Sequence, residues 1–328
     1  MLNYISIYWL GEQLCNFLGM LISVLVGVAY FTLAERKIIA AIQRRIGPNC
    51  IGYWGLFQPL ADGIKLIIKQ TIVPNKAHRF LFLFAPVYSL TLAISAWVVI
   101  PYSDGHVIVD IDLGVLYLLA ISTLSVYGLI IAGWSSNSKY AFLGALRAAA
   151  QIISYDVSLG LILLTLLLFT GSGNLIEIVL VQKYLWYIFP FWPLGLIFFI
   201  SCLAETNRSP FDLTEAEAEL VSGYNVEYSA VGFALFFIAE YINILLISFY
   251  ISILFFGGWY MYGSYSSLVF LGIKTALVGF CFIWVRATLP RYRYDQLIDL
   301  GWKCFLPLSL SSFIGLILLN LLFMSNSI

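Results

Sequence analysis

The sequence predicts an all-α polytopic membrane protein, and three observations carry that prediction. Hydrophobic residues make up 62% of the 328 and charged residues only 10%, whereas a soluble domain is about a quarter charged. Mean hydropathy is +0.95. Apolar runs of the length that crosses a bilayer, about 20 residues, recur eight times between polar connections. The expected architecture is a single transmembrane domain over 1–328. It holds eight transmembrane helices, an interfacial amphipathic helix in the first connection and a short acidic helical stretch in the fifth.

The first span, about 14–34, is free of charge and is closed by Glu35-Arg36-Lys37. The connection up to Arg79 is basic, with eight Lys/Arg against two acids. Within it Leu60, Ile64, Ile67 and Ile68 share one helical face while Asp62, Lys65 and Lys69 take the other, the pattern of a helix lying in the interface. Gly47-Pro48-Asn49 and Gly52 supply a turn ahead of it. The second and third spans are about 80–101 and 113–134, joined by a loop with Asp104, Asp110 and Asp112 and no cation. A polar connection with Lys139 and Arg147 leads to the fourth, about 151–170, which contains Asp156. After a loop over 171–184 come the fifth span (185–204), the sixth (229–256, with Glu240), the seventh (268–288, with Lys274) and the eighth (304–324).

Eight spans put both termini on one side. Fifteen of the 17 Lys/Arg fall on the opposite side, one (Lys183) on the termini's side and one (Lys274) within a span. The positive-inside rule places the cation-rich connections in the matrix or cytoplasm. Net charge is zero, so bulk charge makes no case for nucleic acid. No Arg/Ser-rich transit segment or cleavage site precedes the first apolar run. The five cysteines are scattered without a CxxC pair, which argues against disulfide, zinc or cluster ligation. His78 and His106 fall at opposite ends of one span and cannot jointly hold a haem. The chain is expected to carry no metal and no redox centre of its own.

The densest chemistry lies between the fifth and sixth spans. Glu205, Asp212, Glu215, Glu217, Glu219 and Glu227 stand there against one cation, Arg208. Ser209-Pro210-Phe211-Asp212 reads as a helix start with Ser at the N-cap, and Gly223 as its stop. On that helix Glu215 and Glu219 share a face, where repulsion favours the protonated form of one. A solvated acidic loop is the alternative. Loops 1–2 and 5–6 carry opposite net charge on the same side of the membrane, so attraction should draw them together over the bundle. Glu35, Arg36, Asp62, Lys65, Arg286 and Arg291 then stand where they would line an amphipathic tunnel, with apolar walls for an isoprenoid tail and charges near a polar head. Simple snorkelling at the interface is the alternative. Asp156, Glu240 and Lys274 lie in apolar spans, where a charge costs on the order of 3 kcal/mol. They should face the bundle interior, either as proton-exchanging groups or as a static pair such as Glu240–Lys274.

The blocks AERKIIAAIQRRIGPN, GLFQPLADGIKL, AGWSSNSKYAFLGALRAAAQ, AETNRSPFDLTEAEAELVSGYNVEY, FALFFIAEY and RATLPRYRYDQL run in order from residue 34 to about 300. They resemble the signature blocks of the chain 1 membrane subunits of NADH:ubiquinone oxidoreductase, respiratory complex I. The resemblance implies an eight-helix subunit at the heel of that complex, forming the mouth and floor of a quinone chamber. Ubiquinone would be its substrate, with electrons arriving from iron–sulfur clusters in other subunits. Glu35, Arg36, Arg45, Asp62, Lys65, Arg208, Arg286 and Arg291 would belong to the chamber. Glu205, Arg208, Asp212, Glu215, Glu217 and Glu219 would form the acidic loop that couples quinone chemistry to protons, and Asp156, Glu227 and Glu240 would begin the proton route. Partners would be the hydrophilic-arm subunits at the quinone site, small membrane subunits, antiporter-like subunits and lipid, with no nucleic acid. The blocks resemble organellar versions, which implies the mitochondrial inner membrane with both termini on the intermembrane side; a bacterial plasma membrane is the alternative. Where the family has Ser-Tyr-Glu this chain has Ser154-Tyr155-Asp156, a carboxylate with one methylene less reach. Two other functions compete: a related subunit of a membrane-bound hydrogenase, and a stand-alone cation/proton transporter. The second would need its own substrate site and usually an internal repeat, and no repeat is evident.

Overall fold

A bilayer leaves a backbone no water to bond to, so a chain this apolar must satisfy its peptide groups within helices. The computed structural model describes residues 2–212, 223–261 and 267–326, and among these the regular structure is helical throughout. The helices are α1 (Leu2–Ile42), α2 (Gln58–Ile68), α3 (Arg79–Trp97), α4 (Gly114–Ser135), α5 (Lys139–Thr170), α6 (Leu175–Val181), α7 (Trp192–Glu205), α8 (Ala230–Phe255), α9 (Leu268–Thr288), α10 (Tyr294–Asp299) and α11 (Leu306–Asn326). A π-helical turn, Leu300–Phe305, joins α10 to α11. Seven of the resulting helices are long and apolar enough to cross a membrane, and α7 is a shorter apolar one.

Large apolar side chains face both ways, as a membrane bundle requires. Trp97, Tyr155, Phe198, Ile242 and Leu254 are buried in one core shared by α1, α3, α4, α5, α7 and α8. Leu14, Ile22, Leu83, Ile153 and Leu277 are exposed on outer helix faces. Small residues let α4 and α5 approach closely. A Cβ built on Gly133 would lie 2.3 Å from the Ala145 Cβ. The amphipathic helix of the first connection is α2, and its Leu60, Ile64, Ile67 and Ile68 are exposed, an apolar face turned away from the bundle.

Several boundaries differ from the sequence-based expectation, among them the start of α1 at Leu2 and the end of α3 at Trp97. α1 does not close at Glu35-Arg36-Lys37 but continues to Ile42, because those charges find partners described below. Lys139 and Arg147 are not in a connection. α5 begins at Lys139, and its first turns are rich in helix-forming alanine and carry Arg147 over the Tyr294 ring at 5.7 Å. The fifth span is shorter than 185–204, since Pro190 and Pro193 leave residues before Trp192 outside the helix. No helix starts at Pro210: residues 209–211 form a turn with a cis Ser209–Pro210 peptide, and Asp212 is irregular. The acidic helix expected to follow it lies outside the described residues.

Candidate functional site

The site is built on the short segment that leaves α7. Asn207 takes a left-handed conformation (φ 51°), which Asn adopts more readily than most residues, and this turns the chain back into the bundle. Gln151, buried on α5, donates its Nε2 to the Ala204 carbonyl (2.8 Å) and the Phe211 carbonyl (2.9 Å), bracketing the turn from both sides. The Tyr292 amide donates to the Pro210 carbonyl at 3.0 Å, and the Tyr292 ring stacks on Phe211. Held this way, Arg208 points inward and is only 7% exposed.

Around Arg208 stands an ionic cluster drawn from three other elements. Glu35 of α1, 5% exposed, has an oxygen 3.8 Å from Arg208 Nη1. Glu240 of α8 has one 3.7 Å from Nη2. Both are longer than a hydrogen bond, so Arg208 is a counter-ion shared between two carboxylates. Glu35 is meanwhile held by the Arg286 guanidinium of α9 and by the Tyr241 hydroxyl, which both donate to it. The Arg208 guanidinium lies over the Tyr241 ring at 4.5 Å, and the Tyr224 hydroxyl donates to Glu240 at 3.2 Å. Two acids and two guanidiniums make the cluster neutral, the condition under which charges survive burial. Burial works against the Arg208 charge, but Glu240, Tyr241 and Glu35 outweigh it and hold its pKa above the ordinary arginine value.

A second group of carboxyls continues from this cluster into the bundle. Asp156 of α5 and Glu205 at the end of α7 line one cavity of about 70 Å³, large enough for a few water molecules. Ser122 of α4 stands within hydrogen-bond reach of Glu205, and Asp156 Oδ2 is buried without a protein partner. Glu205 and Glu240 line a neighbouring cavity of about 50 Å³. Ser125, Glu205, Thr206 and Asn243 belong to the walls of both. The described residues thus form a line: Asp156, Glu205, Glu240, Arg208, Glu35. Carboxyls spaced by hydroxyls, an amide and room for water can hold a proton and hand it on.

A family model described as NADH dehydrogenase matches residues 15–317. The chain belongs to the NADH dehydrogenase family. It is 58% identical to the NADH-ubiquinone oxidoreductase chain 1 of Cyanidium caldarium over 300 residues, which cover 90% of this chain and 87% of the relative. It is 57% identical to the protein of the same name from Chondrus crispus, with 92% and 95% covered. An NADH-quinone oxidoreductase subunit of Paramagnetospirillum magneticum is 57% identical, with 89% and 87% covered.

In this NADH dehydrogenase family member, not all the residues singled out from sequence meet. Glu35, Arg208, Arg286 and Glu240 form the buried cluster, and Asp156 and Glu205 the cavity beside it. Two further pairs stand apart. Arg36 and Asp62 pair at 2.7 Å on the surface, with Gln58 donating to the other Asp62 oxygen at 3.1 Å, so α2 is tied to α1. Arg291 and Asp212 pair at 3.3 Å, joining the segment before α10 to the Arg208 turn. Arg45 is exposed and donates to Gln43, Lys65 is exposed on α2, and Glu227 is half-buried short of α8. Glu215, Glu217 and Glu219 lie outside the described residues. Lys274 does not pair with Glu240. It donates to the carbonyls of Phe256 (2.7 Å), Gly258 (2.9 Å) and Tyr260, closing the far end of α8. The acidic neighbour of Asp156 is Glu205. Tyr241, Asn243, Tyr224 and Ser122 were not foreseen. Asn243 alone left a signal, an amide three residues after Glu240 in an otherwise apolar run.

Proposed function

We propose that this chain forms the floor of a quinone chamber and the first stage of the proton path in a proton-pumping NADH:ubiquinone oxidoreductase. The chain is a core membrane subunit of an NADH–quinone oxidoreductase, a multi-pass protein of an inner membrane whose partners are the other subunits of that complex. Ubiquinone is its substrate. In this reading Glu35, Arg36, Arg45, Asp62, Lys65, Arg208, Arg286 and Arg291 surround the chamber, with the α2 side toward the hydrophilic-arm subunits. Glu215, Glu217 and Glu219 join Glu205, Asp212 and Glu227 in the coupling loop. The cation-rich connections face the mitochondrial matrix, and both termini face the intermembrane space.

The observation that carries the proposal is Arg208 shared between Glu35 and Glu240 at nearly equal distance. Reduction of a quinone draws protons as well as electrons, so the charge near Glu35 changes when the quinone is reduced. A change at Glu35 alters its hold on Arg208, and Arg208 then binds Glu240 more or less strongly. Glu240 exchanges its proton with Glu205 through the shared cavity wall, and Glu205 with Asp156. From there the route leads toward the antiporter-like subunits. Replacing Glu240 by Gln keeps the size and removes the titration. Reconstituted complex carrying it should keep NADH oxidation by a water-soluble acceptor while quinone-linked proton pumping falls at least tenfold, the scale of a lost general acid–base group. Normal pumping in this variant would remove Glu240 from the path.

A further inference from the structure

A proline inside a membrane-spanning helix leaves one carbonyl without its amide partner, and the bilayer has no water to replace it. Pro86 lies inside α3, so the carbonyl it frees is that of Phe82, four residues earlier. That carbonyl accepts a hydrogen bond from the Tyr228 hydroxyl at 3.1 Å. The Tyr228 ring also stacks on the Phe82 ring, with centroids 4.1 Å apart and planes 1° apart. Tyr228 and Phe82 are both buried. Ser135 stands within hydrogen-bond reach of the same phenol and keeps its own bond to the Ala132 carbonyl at 3.2 Å. A side chain from another segment thus fills the gap in α3.

Tyr228 belongs to the short segment ahead of α8 that also carries Tyr224. The Phe236 ring of α8 meets both of them edge to face, 5.5 Å from Tyr224 and 5.0 Å from Tyr228. On its α5 side the segment is tightly packed, and a Cβ on Gly144 would lie 2.8 Å from the Gly223 Cα. Tyr224 in turn donates to Glu240 at 3.2 Å, already beyond the usual O–H···O range of about 2.5–3.0 Å, so a small slip of the segment breaks that bond. Stacked rings can slide over one another, whereas a hydrogen bond to one carbonyl sets a fixed register. We infer that Tyr228 is a positioning residue: its hydroxyl stands in for the amide hydrogen that Pro86 lacks, and through that bond it holds Tyr224 against Glu240. The inference rests on Glu240 lying on the proton path. Filling the gap and holding Tyr224 are separable, because the gap can be closed without Tyr228.

The test uses assembled complex reconstituted in vesicles, with the thermal midpoint and the protons pumped per quinone reduced measured for each variant. Tyr228→Phe keeps the stack and removes the hydroxyl. It should lower the midpoint, and it should lower the proton ratio about two- to tenfold, the worth of one net hydrogen bond. Pro86→Ala alone should pump at the wild-type ratio, since a carbonyl has lone pairs for two donors. In the combined variant the amide restored at position 86 satisfies the Phe82 carbonyl, so the midpoint should return while the ratio stays low. Tyr224→Phe should lower the ratio by a similar factor, and adding Tyr228→Phe to it should lower it no further. A ratio that returns with the midpoint in the combined variant would make Tyr228 a structural plug and overturn the inference. A wild-type ratio in Tyr228→Phe would do the same, and should that variant fail to assemble, the combined variant carries the test. Glu240→Gln, measured alongside, separates this inference from the path itself. If Glu240→Gln fails to pump while Tyr228→Phe pumps normally, the inference alone falls; if Glu240→Gln pumps normally, both fall.

Discussion

Arg208 can serve two carboxylates because neither holds it in a hydrogen bond, and that sharing is what its replacement would destroy. Arg208→Met leaves Glu35 and Glu240 buried without their common counter-ion. Breaking a buried ion pair costs about 3–5 kcal/mol, so the variant should show a large loss of assembled complex on a native gel. Arg208→Lys keeps the charge but not the two-ended reach of a guanidinium, and should assemble while losing part of its quinone-linked turnover. Equal assembly and equal turnover in both would mean that Arg208 only fills space. Asp156 offers a sharper comparison. Asp156 lines a cavity, and its Oδ2 is buried with no protein partner. Asp156→Asn should depress pumping-linked turnover, whereas Asp156→Glu should leave it unchanged or raise it. Near-normal turnover in both would make Asp156 structural.

At the scale of elements, the sequence was most legible where hydrophobicity alone decides, as in α4, α8 and α9, whose expected and observed bounds differ by a residue or less. It was least legible where charges continue a helix. Glu35-Arg36-Lys37 reads as a terminus, but Arg286 and Asp62 pair with the first two and the Trp54 carbonyl accepts from Lys37, and none of these partners is near in sequence. The same long-range pairing hid the cluster. Glu240 looked suited to Lys274 by membership of adjacent spans, yet fourteen residues separate Glu240 from the end of α8 that Lys274 caps. Two predictions belong at this scale. Gly133→Leu forces side-chain atoms into Ala145 and the Ala141 carbonyl, 2.3 and 2.9 Å from a Cβ there. It should lower the thermal stability of the purified complex by the cost of overpacking, about 1–3 kcal/mol. The Arg36–Asp62 pair between α1 and α2 is exposed and worth about 0–1 kcal/mol. Arg36→Ala and Asp62→Asn should therefore assemble normally and raise the apparent KM for quinone, with NADH oxidation by a water-soluble acceptor spared. A parallel fall in both activities would point to misassembly and take away the support for a chamber there.

Across the whole molecule, two arrangements of charge are joined at Glu240: a neutral cluster of two acids and two guanidiniums, and a pair of carboxyls in cavities beyond it. The opposite net charges of the first and fifth connections suggest that attraction draws them together; Glu215, Glu217 and Glu219, half of the fifth connection's acids, lie outside the described residues. The turn that carries Arg208 into the bundle was not readable, because it depends on Gln151 reaching across from α5 to two backbone carbonyls. The central claim is that these groups form one series path, and a double-mutant cycle tests it most directly. Glu205→Gln, Asp156→Asn and the double variant are reconstituted, and protons pumped per quinone reduced are measured for each. If the groups act in series, blocking one already stops the path, and the double variant should be no worse than the more damaged single one. Losses that multiply in the double variant would place Asp156 and Glu205 on separate routes and contradict the account.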